Sequence, residues 1–453
     1  MINNSQSKIK KVLFYTSVSR GFRASLIGHL YEISQVYPVI LLAEELDPET
    51  KKVLNNKKLF PRLEKIIPVF QYTGPKTNLL KKNRELYRLA KEVVQCYKPD
   101  VVIANDIYPF EMYLVRFAKK RGALNINLQA ALVGELKERA LKMKLVNVHF
   151  KFSPALPLSW RLILAKCKKY LGHFLYYWIM PLMVGQMPFR GKSSFIIWEK
   201  CISGLRYSDY CVVYLDRDYN ILIKDSIPAE KIYILAHPLE RKAKEIFEKA
   251  YFLSLREKYK SETKIFTMML TSEQIGIRKA DCSLISKEET QKNRMEIVAL
   301  ISKILSEWRI FIKPHPLTRN IEEIKEIYES ISQNIEVTES SEPADKYIEI
   351  SDVIVGLPPA SFALFTALLQ CPEKIIISLD LNQELLADVY KNFEGIEYID
   401  NKEEFVGILK SIRDNKYQKD YKYYKRRLGQ KEFSNSVEML ETLFHKKKLE
   451  NSN

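Results

Sequence analysis

The sequence predicts an α/β protein with two domains, each a parallel β-sheet covered by helices, and a helical C-terminal tail. Three observations lead to this fold class. The chain of 453 residues is too long for one compact core and suits two domains of about 150 to 200 residues each. Short apolar runs alternate with amphipathic stretches, which is typical of parallel strands joined by helices. This alternation occurs twice along the chain.

The first alternation fills the N-terminal half. Apolar runs of four to seven residues, bounded by polar loops, predict buried strands, and the amphipathic stretches between them predict helices. The predicted strands are 12–16, 38–43, 66–70, 101–106, 124–128, 210–214 and 232–236, and the predicted helices are 26–36, 78–96, 109–120 and 219–224. We expect residues 1–240 to form one Rossmann-like domain.

A basic, aromatic segment at 138–204 interrupts this first domain. Residues 171–189 contain no Asp, Glu, Lys or Arg and approach the ~20 apolar residues that a membrane span requires. Lysines and arginines flank this stretch, and aromatic rings with basic flanks suit the surface of a membrane. Three interpretations stay open: residues 160–192 contact the inner face of the membrane, 171–189 is a buried core helix, or 171–189 spans the membrane.

The second alternation occupies the C-terminal half. Residues 241–263 are highly charged and predict a helical linker between the domains, and 416–453 predict a basic, tyrosine-rich helical tail that packs back across the interdomain cleft. The predicted strands are 264–270, 308–313, 334–338, 352–355, 374–378 and 397–399, and the predicted helices are 292–307, 321–333, 344–350, 361–369 and 402–413. We therefore expect a second Rossmann-like domain over 264–415.

The composition indicates the cellular compartment of the protein and the kinds of partner it binds. The formal net charge of +17 attracts phosphate groups, whether in nucleotides, nucleic acids or lipid headgroups. The six cysteines include no C-x-x-C pair, which favours a reducing cytoplasm. The N-terminal apolar run is short and has no small-residue cleavage site, so we expect a first strand and not a signal peptide. These features predict a cytoplasmic protein, with a peripheral position on the inner membrane face left open.

The motif RIFIKPHPLTR at 309–319 is the most specific signal in the chain. It places Lys313, Pro314, His315 and Pro316 at the end of a predicted strand, where ligands bind in open α/β sheets. The two prolines restrict the backbone on both sides of the histidine. Such a side chain can neutralise the negative charge of a phosphate group.

Two further loops are predicted at the same edge of the second sheet. Gly356, Pro358 and Ser361 follow the strand 352–355, and Ser361 begins an apolar helix whose N-terminal N–H groups can hold phosphate. Thr271 and Ser272 follow the first strand of this domain. For Ser361 and for Thr271 with Ser272, capping of the next helix is the alternative role.

Lys313-Pro314-His315-Pro316, followed by ISDVIVGLPPASFALFTALLQ, resembles the donor-binding half of GT-B glycosyltransferases with a His-Pro motif. These are bacterial sialyltransferases, polysialyltransferases, capsule Kdo transferases and teichoic-acid glycerophosphotransferases. The resemblance covers residues 205–380, whereas the N-terminal half matches in architecture alone. It implies a transferase that takes a sugar from a nucleotide donor, with a CMP-sugar favoured and a UDP-sugar next, and passes it to a surface polysaccharide or lipid-linked glycan.

The resemblance also assigns roles to residues. It implies that Lys313, His315, Pro316, Thr271, Ser272, Gly356, Pro358 and Ser361 bind the donor. His315 is in addition a catalytic candidate, because it would stabilise the departing nucleotide. The E-x7-E spacing of many retaining enzymes with this fold is absent around 340–361, which favours inversion.

The N-terminal domain is expected to bind the acceptor. Its first loop contains Arg20 and Gly21 and lacks G-x-G-x-x-G, so a dinucleotide cofactor is not predicted. Inversion requires a base for the acceptor hydroxyl, and Asp106 and Glu135, each near a strand end, are the candidates. Many relatives have Gln-His-Gly where this chain has Gln-Ala-Ala, starting at Gln129.

Three other patterns carry less weight. Asp216-Arg217-Asp218 matches D-x-D, but Asp218 can cap a helix, so no metal site is predicted. His237-Pro238 contacts substrate or forms a turn. The rival functions are a non-hydrolysing UDP-N-acetylglucosamine 2-epimerase, which has the same fold, and a basic nucleic-acid-binding protein, suggested by YKYYKRR. We expect no cofactor and no nucleic-acid partner.

Overall fold

The chain divides into two compact units, one formed by 1–140, 155–238 and 429–453 and the other by 141–154 and 239–428. The computed structural model describes residues 9–16, 26–43, 48–69, 79–104, 109–129, 208–224, 227–238, 263–270, 287–315, 320–340, 344–357, 362–381, 395–419 and 432–452, with single positions at 46, 179, 182, 183, 318, 342, 390 and 391.

The first unit contains a parallel sheet of seven strands in the order β3-β2-β1-β4-β5-β6-β7. The strands are β1 (Val12–Thr16), β2 (Val39–Ala43), β3 (Leu63–Pro68), β4 (Val101–Ala104), β5 (Leu124–Leu128), β6 (Tyr210–Val213) and β7 (Ile232–Ile234). The five central strands are buried along their whole length, because helices cover both faces of such a sheet. The edge strand β3 is buried only at its first residue, Leu63, and is exposed or half-buried along the rest of its length.

Helices connect these strands and pack on the sheet. They are α1 (Ile27–Val36), α2 (Pro48–Leu54), α3 (Leu79–Tyr97), α4 (Pro109–Lys120) and α5 (Asp216–Lys224). Helix α4 ends where Gly122 adopts a positive φ of 78°, a conformation in which a side chain would be strained. Buried residues of β1, β2, β4, α3 and α4 form one apolar core on the sheet.

The C-terminal residues return to the first unit. The Ala236 N–H donates to the Phe433 carbonyl (3.0 Å), and helix α11 (Ser436–Ser452) then packs on α1. The Asn435 side chain caps α11 by accepting from the Glu438 N–H (2.8 Å). The last helix of the chain is therefore an integral part of the first unit.

The second unit contains a parallel sheet of six strands in the order β10-β9-β8-β11-β12-β13. The strands are β8 (Ile265–Met269), β9 (Arg309–Lys313), β10 (Ile335–Val337), β11 (Val353–Gly356), β12 (Ile375–Leu379) and β13 (Glu397–Ile399), and the helices are α6 (Lys287–Ile304), α7 (Ile321–Glu329), α8 (Ala344–Ile350), α9 (Phe362–Gln370) and α10 (Lys402–Arg413). Aliphatic and aromatic side chains from β8 to β13, α6, α7 and α10 form its main core.

The predicted fold class is confirmed: two parallel sheets with helices on their faces and a C-terminal helix. Sequence reasoning missed α2 and placed β3 three residues too late, because an exposed edge strand lacks a continuous apolar run. The insert 138–204 lies outside the described residues except at 179, 182 and 183, and the linker 241–263 except at 263. The predicted domain bounds stay predictions. Within the described part, no helix is long and apolar enough to cross a membrane.

Candidate functional site

Strand order places the candidate site of the second unit at the carboxyl ends of β9, β8 and β11. The chain runs outward from β8 to β10 and then continues from β11 in the opposite direction, so the loops after β8 and β11 diverge. Ligands of open α/β sheets bind at such a switch point. Hydrogen bonds join the three strand ends, from the Leu270 N–H to the Lys313 carbonyl (2.9 Å) and from the Leu357 N–H to the Met269 carbonyl (3.2 Å).

His315 lies two residues beyond the end of β9. Its side chain is half-buried, and its carbonyl accepts from the Thr318 N–H (2.9 Å). Pro314, just before it, is buried and restricts the backbone. His315 thus lies at the strand end beside the switch point.

Lys313 is buried, and its ammonium has all three N–H groups engaged. The Nζ atom donates to the carbonyls of Pro314 (2.9 Å), Glu339 (3.1 Å) and Ser340 (3.2 Å). Burial lowers the pKa of Lys313 to about 8, against the opposing effect of nearby carboxylates, Glu342 first. Lys313 therefore ties the loop carrying His315 to the loop after β10, and its predicted contact with the donor stays a prediction.

Gly356 ends β11 where the next helix comes close. A Cβ atom at this position would lie 2.7 Å from Cδ1 of Leu364 in α9, and Leu364 is itself buried. The absence of a side chain at Gly356 lets α9 approach the strand end, which brings the start of this helix to the switch point. Close packing against Leu364 therefore explains why this position of the motif is a glycine.

The other predicted donor residues follow the ends of β8, β9 and β11 in the sequence. The structure describes the strand ends just before them, Leu270 and Leu357. The predicted residues outside the described part of the chain are Thr271, Ser272, Pro316, Pro358 and Ser361.

On the acceptor side, the four predicted residues also lie outside the described residues: Arg20, Gly21, Asp106 and Glu135. The structure describes where their loops begin, at Thr16 after β1, Ala104 after β4 and Gln129 after β5. These three strand ends lie on the same edge of the first sheet. The choice between the two candidate bases stays open.

A buried hydrogen-bonded network occupies the carboxyl edge of the first sheet, and sequence reasoning missed most of it. His29 of α1 contacts Ser436 Oγ through Nδ1 (2.9 Å) and Tyr214 Oη through Nε2 (2.9 Å). The Tyr214 hydroxyl donates to the Gln129 carbonyl (2.6 Å), and the Ser436 hydroxyl donates to Glu32 (2.6 Å). Residues 29 and 436 are so far apart in sequence that no local pattern could reveal their contact.

The Gln129 side chain extends this network to α5. Its Oε1 accepts from the Tyr214 N–H (3.0 Å), and its Nε2 donates to Asp218 Oδ2 (2.6 Å). Asp218 also contacts Arg217 (3.1 Å) and is fully buried. Asp218 is therefore engaged in hydrogen bonds within the first unit. In the part of the chain that the structure describes, no group of three or more His, Cys, Asp and Glu is placed to hold a metal.

His237 packs into the same region with no exposed surface. Its ring centroid lies 5.2 Å from that of His29 and 4.5 Å from that of Tyr214. Burial, and second the proximity of His237, lower the pKa of His29 well below its usual range. His29 is therefore neutral at physiological pH.

Comparison with known proteins shows the fold. No family model matches the chain, and no curated protein matches it. The UDP-GlcNAc 2-epimerase of Methanocaldococcus jannaschii is 13% identical, with a TM-score of 0.54 over 98% of this chain and 99% of that one. The Neisseria meningitidis UDP-GlcNAc 2-epimerase bound to UDP-GlcNAc is 12% identical, with a TM-score of 0.52 over 97% and 99%. The glycotransferase of kitacinnamycin is 12% identical, with a TM-score of 0.51 over 97% and 96%. The chain thus has the GT-B fold.

Proposed function

We propose that the protein is an inverting, metal-independent glycosyltransferase that moves a sugar from a nucleotide donor to a surface polysaccharide or lipid-linked glycan. The observation that carries the proposal is the position of His315, held at a strand end beside the switch point of the second sheet. The resemblance of its surrounding motif to His-Pro transferases supports the same conclusion.

The reaction assigns a task to each half of the chain. An acceptor hydroxyl oxygen attacks the anomeric carbon of the sugar, the bond from this carbon to the donor phosphate breaks, and the electron pair leaves with the nucleotide. His315 and the N–H groups at the start of α9 stabilise the departing phosphate. Asp106 or Glu135 accepts the proton of the acceptor hydroxyl.

Two nucleotides compete as the carrier of the sugar. The His-Pro motif favours a CMP-sugar, because the resembling sialyl- and Kdo transferases use one. The solved structures with a similar fold include a protein bound to UDP-GlcNAc, which supports a UDP-sugar. We keep the CMP-sugar first and test both.

The acceptor is proposed to be lipid-linked or part of a surface glycan because of the basic aromatic insert at 138–204. Contact of 160–192 with the inner membrane face follows from the same segment and stays a prediction. Such contact would bring the enzyme to a lipid-linked acceptor.

A UDP-N-acetylglucosamine 2-epimerase is the second candidate. Its support is the similarity, over nearly the whole chain, to solved 2-epimerases. An epimerase acts on the nucleotide sugar alone and would not need the basic aromatic insert at 138–204, which is why we place the transferase first.

One assay separates the two candidates. The protein is incubated with CMP- or UDP-sugars labelled in the sugar, together with a lipid-linked glycan extract, with and without a chelator. We expect label in the glycan, release of free nucleotide and no effect of the chelator. A C2-epimerised nucleotide sugar without transfer would establish the epimerase instead. Loss of transfer on chelation, restored by Mn²⁺ or Mg²⁺, would refute metal independence.

A further inference from the structure

The ammonium of Lys313 joins two loops at the carboxyl edge of the second sheet. Lys313 ends β9, and only 3% of its surface is exposed. Its Nζ atom donates to the carbonyl of Pro314 on its own loop and to the carbonyls of Glu339 and Ser340 on the loop after β10. An ammonium has three N–H groups, so these three acceptors use all of them. The two loops are thereby held in one arrangement, because each hydrogen bond lost at a buried charge is costly.

The loop after β10 is held in place by other contacts as well. The Thr338 N–H donates to the Ile312 carbonyl (3.0 Å), which continues the pairing of β9 with β10 beyond the strand end. The Glu339 carboxylate accepts from Lys325 of α7 (2.6 Å), and the Glu339 carbonyl accepts from the Glu342 N–H (3.2 Å). The ammonium therefore connects the histidine loop to a support that is fixed by contacts of its own.

The backbone on both sides of His315 is hydrogen-bonded. The peptide group before it has the Pro314 carbonyl, which accepts from Lys313 (2.9 Å). The peptide group after it has the carbonyl of His315 itself, which accepts from the Thr318 N–H (2.9 Å). A side chain that binds a ligand must be held within about 0.5 Å of its working position. One of the two backbone contacts that hold His315 thus comes from Lys313.

We propose that Lys313 is a positioning residue of the donor site, which acts on the donor through the placement of His315 and does not contact the phosphate itself. This inference rests on the proposed function, in which His315 binds the donor phosphate. A direct contact with phosphate would have to replace one of the three bonds to carbonyls. The resemblance to His-Pro transferases implies direct contact, and the two roles differ in a measurable way.

A double-mutant cycle on the binding of CMP and UDP separates the two roles. Lys313→Met removes the ammonium and keeps a long side chain. It should weaken binding of the nucleotide that the parent binds by about tenfold, the effect of losing one charge-assisted hydrogen bond. In His315→Ala, the same substitution should have no further effect, because the side chain that Lys313 positions is absent. An equal loss in both backgrounds would show that Lys313 acts on the nucleotide without His315, which overturns the proposal.

Lys419 provides a matched control in the second unit. Its Nζ atom also donates to backbone carbonyls, those of Pro372 (3.2 Å) and Lys374 (2.8 Å), but these lie before β12, at the amino edge of the sheet. Lys419→Met should lower the midpoint of urea unfolding, as Lys313→Met should, and leave nucleotide binding unchanged. If both variants weaken binding equally, the cause is a general loss of stability and the positioning role is refuted.

Histidine NMR tests the placement of His315 without any nucleotide. In ¹⁵N-histidine spectra, the His315 signal is assigned by its loss in His315→Ala. It should have the same position in the parent and in Lys419→Met, and it should shift or broaden in Lys313→Met. An unchanged signal in Lys313→Met contradicts the positioning role. If Lys313→Met does not fold, Lys313→Gln, whose amide has two N–H groups, replaces it in both measurements, with smaller changes of the same kind expected.

Failure of the proposed function has a different result. If the parent binds neither CMP nor UDP, the proposed donor site fails, and the donor role of Lys313 fails with it. The NMR signal then still decides whether Lys313 positions His315.

Discussion

At the carboxyl edge of the first sheet, His29, Tyr214 and Gln129 are buried and bonded to one another. At the carboxyl edge of the second sheet, His315 after β9 is half-buried, and Gly356 at the end of β11 lies against Leu364 of α9. The two sheets share one topology, with a switch point beside the first strand of each. We therefore expect histidines on equivalent edges to have different tasks: His29 maintains the shape of its edge, and His315 is the proposed ligand of the donor phosphate.

Of the substitutions that test this difference, His315→Ala is expected to have the largest effect. The substitution removes a group that stabilises the departing nucleotide, so kcat should fall by about 10² to 10³. Nucleotide binding should weaken, and folding should persist, because the side chain lies in a loop outside the core. Steady-state kinetics and nucleotide titration measure both.

The matched control is His445→Ala, which removes an exposed histidine of α11. It should leave turnover and binding unchanged. Full transfer and parental nucleotide binding in His315→Ala would remove the distinction between the two edges and the main support for the donor site.

A smaller effect is expected at Gly356. Gly356→Ala introduces a Cβ that would meet Leu364 at 2.7 Å, and the overpacking should cost about 1 to 3 kcal/mol of stability. The resulting shift of α9 should weaken nucleotide binding about tenfold. Urea unfolding and nucleotide titration measure the two effects.

Gly407 in α10 provides the opposite case, since a Cβ there meets nothing within 4 Å. Gly407→Ala should stabilise the protein by about 0.5 to 1 kcal/mol and leave nucleotide binding unchanged. If both alanine variants behave alike, close packing at the switch point is not what requires the glycine.

The burial of His29 at the carboxyl edge of the first sheet predicts that the stability of the protein depends on pH. The pKa of His29 is lowered in the folded protein by burial, so the unfolded chain binds a proton more readily. The contribution of neutral His29 to the free energy of unfolding is fully present above about pH 6.5. It is lost as the pH falls toward the lowered pKa that His29 has in the folded protein. Between pH 7 and 5.5 the loss should be about 1 kcal/mol.

Urea unfolding of the parent and of His29→Gln at the two pH values measures this loss. The variant has no titrating group at that position. Its free energy of unfolding should therefore change less between the two pH values than that of the parent. An identical pH dependence in both proteins would show that His29 is not held neutral by its surroundings.

The same two edges show how far sequence reasoning reaches. Buried strands such as β5 and β9 were predicted closely, because continuous apolar runs report burial on both faces. His315 could be proposed from the sequence because its strand, two prolines and loop are contiguous, and its role stays a prediction. The contact of His29 with Ser436 joins positions 407 residues apart, so only the folded chain brings it together. The close approach of Leu364 to Gly356 likewise depends on the packing of α9.

The central claim is that the carboxyl edge of the second sheet binds the nucleotide of a sugar donor at His315. The most direct test follows the thermal stability of the parent and of His315→Ala with CMP, UDP, GDP and CDP, because a ligand that binds the folded state raises its Tm. The account predicts that CMP or UDP raises the Tm of the parent, and that the same nucleotide raises the Tm of His315→Ala by clearly less. A parent that no nucleotide stabilises, or a variant stabilised as much as the parent, would contradict it.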